Sequence, residues 1–170
     1  MARHMNRRQL MATAAAGLGL GSLIRAVAGQ GDTMAIETTG EFEVTKTDAE
    51  WKRTLTPGQY YILRKHDTEF AGSSPLLFEH RKGTFSCAGC GQPLFSSDAK
   101  YESGSGWPSF VTPIENAVAT SRDSSLGMTR IEVHCRRCGG HLGHVFEDGP
   151  QPTGLRYCTN GTALTFTPEK

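Results

Sequence analysis

No run of this sequence is both apolar and long enough to span a bilayer. The longest weakly apolar stretch, from Ala12 to Ile24, has 13 residues, against the roughly 20 that a membrane helix needs. Acidic residues are missing from the first thirty positions, and over all 170 residues neither sign is in large excess, with 18 basic against 17 acidic. Because Arg3, Arg7, Arg8 and Arg25 fall in the acid-free stretch, the remainder carries 14 basic and 17 acidic residues. A mildly acidic fold offers no broad attraction to phosphate backbones or anionic membranes, so nucleic acid is not an expected partner. At 37% hydrophobic and 21% charged residues, the composition suits one domain with a real core rather than two.

The N-terminus has the pattern of an address. Asn6-Arg7-Arg8-Gln9-Leu10, the short apolar run and Ala26-Val27-Ala28 supply a basic region, a hydrophobic region and a small-x-small cleavage site. The paired arginines point to the twin-arginine route. Residues 1–28 are therefore read as a twin-arginine signal peptide, with a retained membrane anchor as the alternative. Residues 29–40 read as a flexible lead-in and residues 41–170 as the folded domain. The expected location is the periplasm or another extracytoplasmic space, reached by export of the folded chain.

Thr47-Asp48-Ala49-Glu50 has the form of a capping box, and Thr56-Pro57 places a proline at the first position of a second helix running toward Arg64. Beyond Gly83 the pattern changes to short apolar or alternating runs between turn residues: Thr84–Ser86, Pro93–Ser96, Met128–His134, His141–Phe146, Leu155–Thr159 and Ala163–Thr167. The expected fold class is mainly β, opened by two short N-terminal helices.

Four of the five cysteines form two like units, Cys87-Ala-Gly-Cys90-Gly and Cys135-Arg-Arg-Cys138-Gly, with 44 residues between them. Each unit lets two thiolates converge from one tight turn, and two units supply a closed tetrahedral site for one structural zinc ion. A disulfide pair or two redox dithiols is the alternative in an exported protein.

The fifth cysteine, Cys158, has no partner in the pattern. It is either a small buried apolar residue or a reactive thiol, and the polar neighbours Arg156 and Asn160, two residues to either side, favour the second. His141 and His144, in His-Leu-Gly-His-Val-Phe directly after the second knuckle, can act as general acid and thiolate partner, be satisfied by hydrogen bonds there, or serve as metal ligands, a role that four cysteines saturating the zinc disfavour. Ser103-Gly-Ser-Gly-Trp107-Pro108 holds an indole on an extended backbone, as a platform for a polarised methyl group or as core filling.

Taken in order, Cys87-x-x-Cys90, Gly104-Ser105-Gly106-Trp107-Pro108-Ser109-Phe110, Cys135-x-x-Cys138, His141-Leu-Gly-His144-Val-Phe, Asp148-Gly-Pro-Gln-Pro-Thr-Gly154 and Arg156-Tyr-Cys158-x-Asn160 resemble the B-type methionine sulfoxide reductases over roughly Thr47 to Pro168. The resemblance implies a β-tent fold of two small antiparallel sheets linked by a four-cysteine zinc site. It implies thiol-dependent reduction of the R epimer of methionine sulfoxide in proteins. Catalytic roles would fall to Cys158 as nucleophile with His144, His141 and Asn160, and substrate contacts to Trp107, Phe110 and Arg156. Many members carry a resolving cysteine where this chain has Ser105, so a sulfenic acid on Cys158 would be resolved by an external thiol, either a thioredoxin-like protein or a small molecule. The expected partners are that reductant and oxidised methionine residues, with the chain itself a monomer. The stretch Phe70 to Leu77 departs from the family's common pattern, so substrate contacts there do not carry over.

Two rival readings stay open. A zinc-ribbon binding module predicts that His141, His144 and Cys158 do not converge, whereas the enzyme needs them around one pocket with Trp107. A β-tent relative acting on thiol adducts of small aldehydes would need an open zinc site, which four committed cysteines oppose.

Overall fold

A computed structural model describes residues 42–170; the expected signal segment 1–28, the lead-in 29–40 and Glu41 lie outside the described residues. Helix α1 spans Asp48–Thr54 and α2 spans Pro57–Lys65. Both begin with reciprocal caps, Thr47 with Glu50 and Thr56 with Gln59, and each cap satisfies two donors that a helix start leaves unpaired. The second box adds to the proline signal at Pro57. Trp51, Tyr60, Ile62 and Leu63 are the buried residues of these helices and belong to the core.

Nine strands follow among the described residues: β1 (Gly83–Cys87), β2 (Pro93–Ser96), β3 (Lys100–Tyr101), β4 (Ser109–Phe110), β5 (Val118–Asp123), β6 (Arg130–Cys135), β7 (His141–Phe146), β8 (Arg156–Thr159) and β9 (Leu164–Pro168). They form two sheets, a three-stranded one in the order β2-β1-β9 and a six-stranded one in the order β3-β4-β8-β7-β6-β5. Every pairing is antiparallel.

Three strands escape the sequence pattern, each for a physical reason. β3 and β4 have two residues each, too few for a period to show. β5, Val-Ala-Thr-Ser-Arg-Asp, is apolar only at its start, as suits a strand at the sheet edge. Along β1 the pleat alternates as expected, with Gly83, Phe85 and Cys87 buried and Thr84 and Ser86 partly exposed. The core centres on Phe110, stacked on Phe95 at 4.2 Å and met edge-on by Phe85 at 5.1 Å. Leu94, Val133 and Leu142 fill it further.

Candidate active site

The two knuckles close in the same way at the ends of β1 and β6. Gly91 N–H donates to Cys87 O and Gly139 N–H to Cys135 O, both at 2.8 Å. Gly91 and Gly139 take φ values of 73° and 67°, a region glycine enters without cost. The sulfurs of Cys87 and Cys138 stand 3.7 Å apart and those of Cys90 and Cys135 3.6 Å apart. A tetrahedral ion with bonds of about 2.3 Å to sulfur sets its ligands about 3.8 Å apart, so the donor set fits such an ion. All four Sγ atoms lie within 4.8 Å of one another, which joins the three-stranded sheet to the six-stranded one.

Cys158 lies on β8, the strand between β4 and β7, with Ser109 opposite it on one side and His144 on the other. Directly opposed residues share a sheet face, so Cys158 and His144 are cross-strand neighbours. Gly143 makes this closeness possible, because a Cβ there would meet Cys158 O at 2.0 Å. Cys158, His144, Trp107 and Asn160 line one cavity of about 140 Å³, together with Thr68, Arg130, Gly143, Phe146 and Thr159, whereas His141, expected in the same wall, is buried outside it with its ring 5.4 Å from that of His144.

The cationic neighbour expected to activate the thiol does so only weakly. Burial pushes the Cys158 thiol up, and this outweighs a hydrogen bond with Ser105 and the charge of Arg156, which both pull it down. Arg156 is itself held by Asp148 through two bonds of 2.8 Å, which partly cancels its field. Arg156 lines a second, polar groove shared with Ser105, Tyr101 and Asp148, beside the cavity and not in its wall. A file of hydroxyls, Ser109 to Ser103 and Ser103 to Ser105 at 2.8 Å each, ends 3.9 Å from Cys158 Sγ.

Each histidine of the cluster has a carboxylate behind it. His144 Nε2 is 2.7 Å from Asp123 Oδ2, and His141 Nδ1 is 2.7 Å from Glu132 Oε1. A ring nitrogen facing an ionised carboxylate carries the proton, which leaves His144 Nδ1 and His141 Nε2 as the exchangeable positions. The His141 Nε2 atom is buried without a hydrogen-bond partner, and the two rings lie 5.4 Å apart. Burial lowers the His144 pKa against the opposing pull of Asp123, so its resting form near neutral pH is the free imidazole. Burial opposes ionisation of Glu132, but hydrogen bonds from His141, His66 and Ser121 outweigh it and hold the carboxyl well below the usual range.

Phe110 departs from the expectation. The family resemblance puts it among the substrate contacts, yet it is fully buried between Phe85 and Phe95 and is absent from the cavity lining. Neighbouring residues on a strand point to opposite faces; in β4 it is Ser109 that joins the hydroxyl file beside Cys158 while Phe110 enters the core. Trp107 is partly exposed and lines the cavity, so it is not core filling.

A family model described as the SelR domain matches residues 55–168. The chain belongs to the SelR family. Among curated relatives, this SelR chain is 57% identical over 129 residues to the peptide methionine sulfoxide reductase MsrB of Leptospira interrogans, which covers 75% of this chain and 98% of the relative. The protein of the same name from Agrobacterium fabrum is 53% identical over 127 residues, 74% of this chain and 94% of the relative. That of Methanosarcina barkeri is 55% identical over 128 residues, 75% and 90% respectively.

Sequence reasoning missed three acidic residues of this SelR domain that organise the site. Glu69 accepts from Gly161 N–H at 2.6 Å and from Thr162 N–H and Oγ1 at 2.9 and 2.6 Å. Its backbone carbonyl takes the Trp107 indole N–H at 3.1 Å, and its own N–H donates to Asn160 Oδ1 at 3.0 Å. One residue thus ties the loop after α2 to the indole and to the end of β8. Asp123 and Glu132 are the other two. None of the three stands in a motif with the group it holds, so no local spacing announces them.

Proposed function

We propose that this chain reduces methionine sulfoxide in proteins to methionine, taking the R epimer, with Cys158 as nucleophile and an external thiol as final reductant. The observation that carries this reading is Cys158 directly across the ladder from His144, in a cavity walled by Trp107 and Asn160. Relatives named peptide methionine sulfoxide reductase MsrB support it from outside the geometry.

The reaction balances without an outside acid. Oxygen passes from the methionine sulfur to the Cys158 sulfur, the methionine sulfur gains the electron pair that the cysteine loses, and the thiol proton ends on the sulfenic oxygen. At rest the proton sits on Cys158 and the imidazole of His144 is neutral, so His144 Nδ1 is the group to carry that proton to the sulfoxide oxygen as the sulfur attacks. Asn160, with one amide hydrogen left after its bond to Leu142 O, steadies the oxygen, His141 backs His144 from outside the cavity wall, and the indole of Trp107, held by Glu69, packs on the substrate methyl. A pocket that meets the sulfur with Cys158, the methyl with Trp107 and the oxygen with His144 fixes three points of the sulfoxide and so accepts one epimer.

One external thiol then attacks the sulfenic acid, releasing water and leaving a mixed disulfide; a second thiol frees Cys158 and departs as the disulfide. Support comes from the hydroxyl of Ser105 beside the Cys158 sulfur and from the other four cysteines being gathered in the cluster. For that cluster we assign one zinc ion, on the thiolate donors and their tetrahedral spacing. Zinc there supplies cross-linking and no open position for substrate. The N-terminal pattern supports export by the twin-arginine route and cleavage after Ala28; N-terminal sequencing of the secreted form and its loss in Arg7→Lys/Arg8→Lys test this.

Single-turnover reduction of a peptide carrying each epimer, by wild type and by Cys158→Ser, tests the reaction. The expected result is methionine from the R epimer only, lost in Cys158→Ser. No methionine from either epimer with metal-loaded protein would return the chain to the binding-module reading.

A further inference from the structure

Glu132 Oε1 is the meeting point of two imidazoles. His141 Nδ1 approaches it at 2.7 Å and His66 Nδ1 at 3.0 Å, while Ser121 donates to the other oxygen at 2.6 Å. His66 follows the last residue of α2 with left-handed backbone at φ 57°, and its side chain is 61% exposed, whereas that of His141 is 3% exposed. The three donor atoms lie within 4.8 Å of one another, and the rings are 5.0 Å apart.

Two imidazole nitrogens and a carboxylate oxygen form the donor set that suits borderline divalent cations. An ion bound at about 2.0–2.2 Å would set neighbouring ligands roughly 3.0–3.5 Å apart, so the two nitrogen–oxygen spacings of 2.7 and 3.0 Å need to open by only a few tenths of an ångström. Binding at Nδ1 requires each ring to carry its proton on Nε2. For His141 that shift gives up the Nδ1–H bond to Glu132, which bonds of both groups to the ion replace, and the Nε2 that receives the proton holds no other partner that must move; for the exposed His66 ring, water compensates. The solvent side of His66 leaves room for an aquated ion to enter, and the nitrogen and oxygen donors differ from the four sulfurs of the cysteine cluster.

We propose that His66, Glu132 and His141 form a second, exchangeable site for a divalent cation of the zinc, cobalt or nickel class, and that a cation held there slows turnover through the charge it places beside His144. A divalent charge on the ring 5.4 Å from His144 disfavours the imidazolium that His144 forms as it carries the proton, so the site acts as a brake set by free metal outside the cysteine cluster. The effect on turnover rests on the functional reading above; the binding does not.

The test uses the full zinc-loaded chain and Co²⁺ as probe. In a Cys158→Ser background, calorimetry and visible absorption should show one further cobalt ion, without the strong near-ultraviolet bands of cobalt thiolate. His66→Asn keeps a residue that tolerates left-handed backbone and should weaken binding roughly tenfold or more. In the protein with Cys158 intact, saturating Co²⁺ should slow single-turnover methionine formation, measured without added thiol, and should not slow it in His66→Asn. Equal cobalt binding with and without His66, or a rate unmoved at saturation, overturns the proposal. Absence of methionine from the cobalt-free protein would instead count against the reductase reading, with the binding comparison still deciding the site.

Discussion

Cys158 combines two properties that usually exclude each other in a nucleophilic thiol: it lines an open cavity, yet burial keeps it protonated. A group whose deprotonated form is disfavoured gains thiolate only at pH values above the ordinary thiol value of about 8.5. Alkylation of the free protein by iodoacetamide should therefore titrate above that value, while on the proposed mechanism peptide reduction should continue near pH 7, with His144 taking the proton as substrate binds. Removing Arg156, whose charge pulls the thiol down, moves it further the same way. In Arg156→Met, Asp148 is left unpaired and the thiol rises again, so reaction near neutral pH should fall about tenfold for each unit of rise, with the loss recovered at alkaline pH. A loss that persists at alkaline pH would mean that Arg156 touches substrate. Asp123 contributes to the same balance from the other side, since it keeps the Nε2 proton of His144 in place and leaves Nδ1 to exchange.

Among the elements, the loops on either side of the cavity make the difference between a sheet and a site. The loop carrying Ser103 to Pro108 brings a hydroxyl to Cys158 where a thiol would close an internal disulfide. Ser105→Cys should trap that disulfide after one turnover, read by peptide mapping, and the enzyme should then recycle with a dithiol reductant. An unchanged free Cys158 after oxidation would place the loop too far away. The loop after α2 is fastened by Glu69, whose carboxylate satisfies three donors of the turn at Gly161 and Thr162. Glu69→Ala leaves those donors without their acceptor and should cost about 2–3 kcal/mol in unfolding experiments. It should also raise KM more than it lowers kcat, because the loop whose backbone carbonyl at residue 69 holds the Trp107 indole loses its fastening while Cys158 and His144 keep their positions.

Across the whole molecule, the cysteine cluster joins two sheets whose hydrogen-bonded ladders are otherwise separate. Its sulfurs are ligands only as thiolates, so acid or a strong chelator should release the metal and abolish the cooperative unfolding transition; Cys135→Ser should do the same at neutral pH. Retention of a native circular dichroism spectrum and melting temperature after complete metal loss would contradict this. Much of the architecture was legible in the chain itself. Capping residues, the two knuckles and the spacing of β1, β2, β6, β7, β8 and β9 are local patterns, written within a few consecutive residues, and the motifs around Trp107, His141, His144 and Cys158 are equally short. The two-residue strands and the polar edge strand carry no such period, and their existence depends on the partners that pair with them. Only the tertiary structure decided that Phe110 belongs to the core, that burial overrides Arg156 at the thiol, and that Glu69, Asp123 and Glu132 hold the site. The physical reason is distance along the chain: Glu69 reaches a turn 92 residues away and Asp123 a histidine 21 residues away. Such contacts, like the desolvation of a thiol, exist only once the sheets have closed around them.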